Sequence, residues 1–252
     1  MGGICITTIG PGGIFVTIAL YQLLALSPGT VAGTASVTFI ATGLLGSLAY
    51  LRSGELQGGV AGRAALVLSL ASVAGALAGS ALNALLDAGT FGAILGGFVA
   101  LTGGLILYRE QRGARALARG EDAPEPLDLD SWKSHGWMAA VGIGVGLPAG
   151  LLGVGGPVLA VPLLVMLGVP MLLSVGLAQV QSIFISVFAA LGYAVQGVID
   201  WWLALLVGIP LVLGTAAGWW LAHRIQPARL KVGLAVVLIL LGAYLLVSGP
   251  PA

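Results

Sequence analysis

The chain has 252 residues, of which 58% are hydrophobic and 8% charged, with a mean hydropathy of +1.08. Soluble domains carry about a quarter charged residues, so this composition excludes a soluble globular protein, and its apolar content excludes disorder. A net charge of +1 offers nucleic acid no basic surface, and Cys5 with two histidines supplies neither a disulfide nor a zinc site.

In chain order, the first element is an apolar segment over 2–26, broken at Gly10-Pro11-Gly12-Gly13. Uninterrupted apolar runs follow at 31–51, 64–86 and 88–108, each long enough for a transmembrane helix. Residues 109–135 form the one long polar stretch. Eleven of the charged residues lie between Arg109 and Lys133, basic first and acidic after, as in a solvated linker carrying at most a short amphipathic helix. A second broken segment covers 137–170 and turns at Gly153-Val154-Gly155-Gly156-Pro157. Apolar runs at 172–195, 201–222 and 232–248 complete the chain. Strand-length alternation of apolar and polar residues is missing, which argues against a β-barrel. The N-terminus lacks the basic residues of a signal peptide, and its abrupt start suggests that a few natural residues are absent. The expected fold class is an all-α polytopic membrane protein.

A shift of 143 superimposes the halves. Gly10, Gly12 and Gly13 fall on Gly153, Gly155 and Gly156, while Tyr50 and Gly54 fall on Tyr193 and Gly197. Three units are expected: a first repeat over 1–108, a linker over 109–135 and a second repeat over 136–252. Each repeat reads as a glycine-broken helical hairpin plus three transmembrane helices. Lys and Arg cluster at Arg52 and Arg63, in the linker, and at Arg224, Arg229 and Lys231, so the positive-inside rule makes these places cytoplasmic. Counting crossings between them turns each broken segment into a hairpin and inverts the second repeat relative to the first.

The breaks carry the chemistry. Backbone exposed at membrane depth is costly unless protein, water or a ligand satisfies it. The half-helices that start after Gly13 and at Pro157 present unpaired N–H groups and a partial positive charge, which suit an anion. Broken helices at matching places in two halves are the best sequence pointer to a transporter site. The candidate substrate-binding residues are therefore Gly12, Gly13, Gly155 and Gly156, with Thr38, Gln179, Gln181 and Ser182 on the helices that follow. Ordinary packing competes for each. Hydroxyls often bond their own helix, glutamines bond across helices, and scattered glycines such as Gly75, Gly79 and Gly218 let helices approach. Tyr50 and Tyr193, at helix ends, read as membrane-interface anchors. Trp219-Trp220 suit either lipid or a second copy in a homodimer.

The glycine turn followed by Val158-Leu159-Ala160-Val161-Pro162-Leu163-Leu164, together with the repeated halves, resembles the sulfite exporter TauE/SafE family, also called the toluenesulfonate uptake permease family. The resemblance spans about 2–248. The family's pattern has a third glycine where this chain has Pro157 and Ile14. It implies a permease of bacterial or archaeal plasma membranes for sulfite, organosulfonates, sulfoacetate or related small anions.

The leading expectation is a multi-pass secondary carrier of such anions, in the direction of export, working by alternating access around the two breaks. Its partners are a small anionic substrate and lipid. It needs no cofactor, metal or nucleic acid. No nucleophile–base pair is visible, which argues against an enzyme. A passive anion channel and a non-transporting membrane assembly protein remain as alternatives.

Overall fold

The computed structural model describes residues 2–8, 10–119, 128–222 and 228–248, and among them every element is helical. Ten helices follow in order: α1 (Gly2–Thr8), α2 (Gly13–Leu24), α3 (Pro28–Arg52), α4 (Gly59–Asn83), α5 (Ala88–Ala118), α6 (Trp132–Leu152), α7 (Pro157–Met166), α8 (Met171–Val195), α9 (Trp201–Ala222) and α10 (Ala228–Ser248). Six of them, α3, α4, α5, α6, α8 and α9, are long and apolar enough to cross a membrane. Both expected breaks are present, between α1 and α2 and between α6 and α7.

Helix starts follow local chemistry. Ser27 caps α3, its Oγ accepting the Thr30 amide at 3.3 Å, and Pro28 occupies the first turn, where its missing N–H costs nothing. Asp87 precedes α5 and accepts the Thr90 amide at 3.0 Å and the Thr90 hydroxyl at 2.6 Å. These bonds hold its carboxyl below the usual carboxylate range. Asp200 serves α9 in the same way, accepting the Leu203 amide at 2.9 Å. The α5 helix runs ten residues past Leu107-Tyr108, through Arg109 to Ala118, so the basic half of the expected linker is mostly helix. Residues 120–127 of the acidic half, and the 223–227 part of the second basic loop, lie outside the described residues.

Packing is by exchange between the halves, with glycine at the contacts. α1 lies along α9: a β-carbon on Gly3 would come within 2.9 Å of the Thr215 nitrogen, and one on Gly218 within 2.7 Å of the Ile4 Cα. α6 lies along α4 in the same way. A β-carbon on Gly75 would sit 2.6 Å from the Leu147 nitrogen, and one on Gly146 2.9 Å from the Ser72 Cα. Gly3 and Thr215 correspond to Gly146 and Ser72 under the offset of 143, so the first hairpin arm of each half is held by the other half. α3 and α8 cross at the centre. Gly33 meets Tyr193 and Gly176 meets Tyr50, so these two helices run antiparallel. α10 packs antiparallel on α5 through Gly96, Gly103 and Gly242. Packing is thus the role of Gly75, Gly79 and Gly218.

Charge separates the two ends. Arg63 pairs with Asp130 at 2.9 Å across exposed surface, and Arg109 lies beside Met171 at the start of α8. Asp87 and Asp200 belong to the opposite end, where Asn83 donates to the Pro28 carbonyl and the Asp200 amide donates to Thr34.

The packing glycines give a direct test. A β-carbon on Gly79 would lie 2.6 Å from the Leu151 nitrogen, whereas one on Gly97 meets nothing within 4 Å. Gly79→Leu should lose about 1–3 kcal/mol through overpacking and melt at lower temperature in detergent, while Gly97→Leu stays within about 0.5 kcal/mol of the parent. Equal melting temperatures would contradict the packing.

Candidate functional site

The two breaks meet. A β-carbon on Gly13 would fall on the Val154 carbonyl oxygen, and one on Gly10 would lie 2.8 Å from the Pro157 oxygen. The Thr17 hydroxyl, on α2, donates to the Gly153 carbonyl. Gly13 lies beside Phe39, near the middle of α3, and Gly156 beside Ser182 and Ile185, near the middle of α8. The junction therefore sits halfway along the two central helices. Gly10 to Gly13 and Gly153 to Gly156 are all buried.

Glycine is required at these turns for two different reasons. Gly10, Gly153 and Gly155 have φ of 110°, 61° and 80°, in the left-handed region that disfavours a side chain. Gly12 and Gly156 have ordinary helical φ. At Gly12 the reason is space, because a β-carbon there would be 2.8 Å from Ile6 Cγ1 and closer still to the α1 backbone.

The ends of the broken helices are treated differently according to sign. The carbonyls that end α1 are occupied: Cys5 O accepts from the Gly10 amide at 2.9 Å, Ile6 O from Gln179 Nε2 at 3.2 Å and Thr7 O from the Tyr50 hydroxyl at 2.8 Å. Those that end α6 are occupied too. Ala149 O accepts from the Gly153 amide at 2.9 Å, Gly150 O from the Tyr193 hydroxyl at 2.8 Å and Leu151 O from Asn83 Nδ2 at 2.8 Å. The amides at the start of α7 are not. The N–H groups of Gly155, Gly156 and Val158 have no acceptor among the described residues, and Ala160 closes onto the helix, donating to Gly156 O at 3.2 Å. Gly13 and Ile14, at the start of α2, likewise find no described acceptor. Among the described residues the breaks thus bond their carbonyl ends and leave amides at the start of α7 without acceptors, a polarity that suits an anion.

The candidate side chains separate into groups. Ser182 stands at the start of α7, buried, its Oγ 3.7 Å from where a Gly155 β-carbon would be. Gln179 is wholly buried, with Nε2 on α1 and Oε1 unpaired. Gln181 is wholly buried with both Oε1 and Nε2 unpaired. Thr38 is not at the junction. Its hydroxyl bonds Ala35 O at 2.7 Å, and it faces a cavity of about 440 Å³ between α3 and α9. Tyr50 and Tyr193 are not interface anchors, being fully buried with their hydroxyls on the broken helices. Trp219 and Trp220 wall a cavity of about 380 Å³ with Thr7, Gly46 and Arg52.

Sequence reasoning missed Phe39, whose ring lies against both breaks, 3.1 Å from a Gly13 β-carbon and 3.5 Å from a Gly155 one. The offset of 143 places it opposite Ser182, which is a signal the repeat contained. It also missed Thr17 and Asn83, which gain their roles only from the packing of one half on the other.

Several membrane-length helices around two touching, mid-depth helix breaks define a polytopic membrane transporter. The chain belongs to the sulfite exporter TauE/SafE family, whose model matches residues 1–245. It is similar to the probable membrane transporter protein YunE of Bacillus subtilis (strain 168), at 26% identity over 260 residues, covering 98% of this chain and 90% of that protein. No solved structure gives a significant match.

The contact between the breaks depends on Gly13. Gly13→Ala should part them, so that a cysteine replacing Ser182 in a Cys5→Ser background reacts several-fold faster with a small thiol reagent. An unchanged rate would contradict the contact.

Proposed function

We propose that this protein is a secondary carrier that exports a small sulfur oxyanion or organosulfonate across a bacterial or archaeal plasma membrane. The observation that carries the reading is the set of bare amides at the start of α7, facing Ser182, while the carbonyl ends of both breaks are already bonded. Sulfite presents several oxygens to such donors and needs no Arg or Lys in the membrane. The α2 start is closed by the Val154 carbonyl, so α7 supplies the main contacts and α2 the lesser ones. Of the candidate residues, Gly155, Gly156 and Ser182 hold the anion. Gly12 and Gly13 shape the opposing wall, Gln179 fixes α1, and Gln181 supplies an unpaired amide in the adjoining core. Thr38 serves the α3–α9 contact.

Alternating access is supported by the arrangement of the halves. Corresponding helices α3 and α8 run antiparallel, and the hairpins pack by exchange, as repeats of opposite orientation would. The repeats are assigned to 1–108 and 136–252 on the sequence offset, with 109–135 as the connector between them. The end bearing Arg52, Arg63, Arg109 and Lys133 is cytoplasmic by the positive-inside rule, which puts the linker there. The buried junction, with Phe39 against both breaks, suits an occluded carrier and disfavours a channel. Export of an anion from an inside-negative cell is downhill by ~2.3 kcal/mol per charge per 100 mV, so no coupling ion is needed.

Binding tests the reading. Sulfite at a concentration of about 100 Kd should stabilise the purified protein by about 2.7 kcal/mol. Gly156→Ala, at an ordinary helical φ, should fold and insert, yet its β-carbon, 3.3 Å from the Ser182 Cα, should remove most of that stabilisation and of transport. A folded Gly156→Ala protein stabilised by sulfite as fully as the parent would refute the site.

A further inference from the structure

The two buried tyrosines do more than fill space. Under the offset of 143 Tyr50 corresponds to Tyr193 and Thr7 to Gly150, and the hydroxyl–carbonyl bond joining each pair is 2.8 Å long in both halves. The root of each tyrosine side chain is against a glycine of the other half. A β-carbon on Gly33 would lie 2.9 Å from Tyr193 Cβ and 3.2 Å from Ile199 Cγ1. One on Gly176 would lie 3.3 Å from Tyr50 Cβ and 3.0 Å from Leu56 Cγ. Gly33 and Gly176 correspond, as do Leu56 and Ile199. Each tyrosine is therefore bonded at its hydroxyl and meets a glycine of the other half at its Cβ.

We infer that Tyr50 and Tyr193 are twin positioning residues, each tying the broken helix of its own half to the long helix that bears the ring, so that α1 moves with α3 and α6 with α8. Movement between the units then falls on the α3–α8 seam, where Gly33, Gly43, Gly46 and Gly176 leave no interlocking side chains on one face of each contact. Three donors bridge the seam or the breaks: Gln179 on Ile6 O, Asn83 on Leu151 O and Thr17 on Gly153 O. The Gln179 bond has no counterpart, because Ser36, which corresponds to it, bonds Ala32 O of its own helix at 2.7 Å. Among the described residues the two tyrosine bonds are the side-chain bonds to a broken helix that occur in both halves, as a device used on both sides of a transport cycle must be. This inference rests on the carrier reading only for its purpose; the tie itself is independent of the ligand.

The test uses the full chain in lipid nanodiscs with Tyr50→Phe and Tyr193→Phe, which keep the rings. In Tyr50→Phe, amide exchange should quicken about tenfold in residues 3–12 and stay at the parent rate in 145–156; Tyr193→Phe should show the reverse. In proteoliposomes, sulfite counterflow should show KM raised about tenfold with little change in the maximal rate, because the amides at the break are displaced while the seam still slides. Exchange that rises evenly along the chain, or an unchanged KM beside the local exchange, would overturn the positioning role. If the parent protein moves no sulfite but the two local exchange patterns appear, the carrier reading fails and the tie stands.

Discussion

The structure depends on how backbone groups at two mid-depth helix breaks are satisfied where water is scarce. An unbonded carbonyl or amide in that setting costs several kcal/mol, so each needs a partner. The protein supplies donors for the carbonyls from distant elements: Tyr50 and Tyr193 from the long helices, Gln179 and Asn83 from across the core, and Thr17 from the opposite hairpin. It supplies no described acceptor for the amides that begin α7. Acceptors could have been supplied as readily as donors, since serine and threonine hydroxyls accept as well as donate. Under the proposed function, the sign of the remaining groups sets the sign of the ligand.

That arrangement needs the halves to be built into each other. α1 is only seven residues long and cannot hold its place by itself. It is fixed by the α9 backbone through Gly3 and Gly218, and by the Thr7 hydroxyl on Thr215 O at 2.8 Å. α6 is fixed on α4 by corresponding glycines. Close backbone contact replaces the hydrophobic effect, which drives little association between helices already in an apolar solvent. At the α3–α8 seam the same residue type makes room for bulk from the facing helix, Gly33 for Tyr193, Gly43 for Ile183, Gly46 for Gln179 and Gly176 for Tyr50.

Much of this could be read from the sequence because the glycine clusters and the central helices share one offset. The runs at 31–51 and 172–195 become α3 and α8, whose ends differ by the same 143 as the glycine clusters. The breaks fell where glycine and proline interrupt apolar sequence, since few other residues permit a turn at that depth. What could not be read was direction around a helix. Thr34, Thr38 and Thr42 form a stripe at helical spacing, yet Thr34 caps the α9 start and Thr38 lies beside Gly208, so the stripe serves packing. Tyr50 and Tyr193 were visible as a pair, but an aromatic at a helix end signals a membrane interface as readily as a bond to a neighbouring carbonyl. Phe39 carries no polar group to mark it, and Asn83 acts on a carbonyl 68 positions away. The charged stretch after Tyr108 looked like a connector, whereas its helix formers extend α5 to Ala118.

The central claim concerns where a negatively charged ligand rests, and anomalous diffraction reports that position directly. Selenite shares the shape and charge of sulfite and carries a strong scatterer. Crystals of the protein grown with saturating selenite and measured at the selenium edge should give one principal peak, with its oxygens about 3 Å from the amide nitrogens of Gly155, Gly156 and Val158. A principal peak beside Arg52 or on the lipid-facing surface, with nothing at the start of α7, would contradict the account.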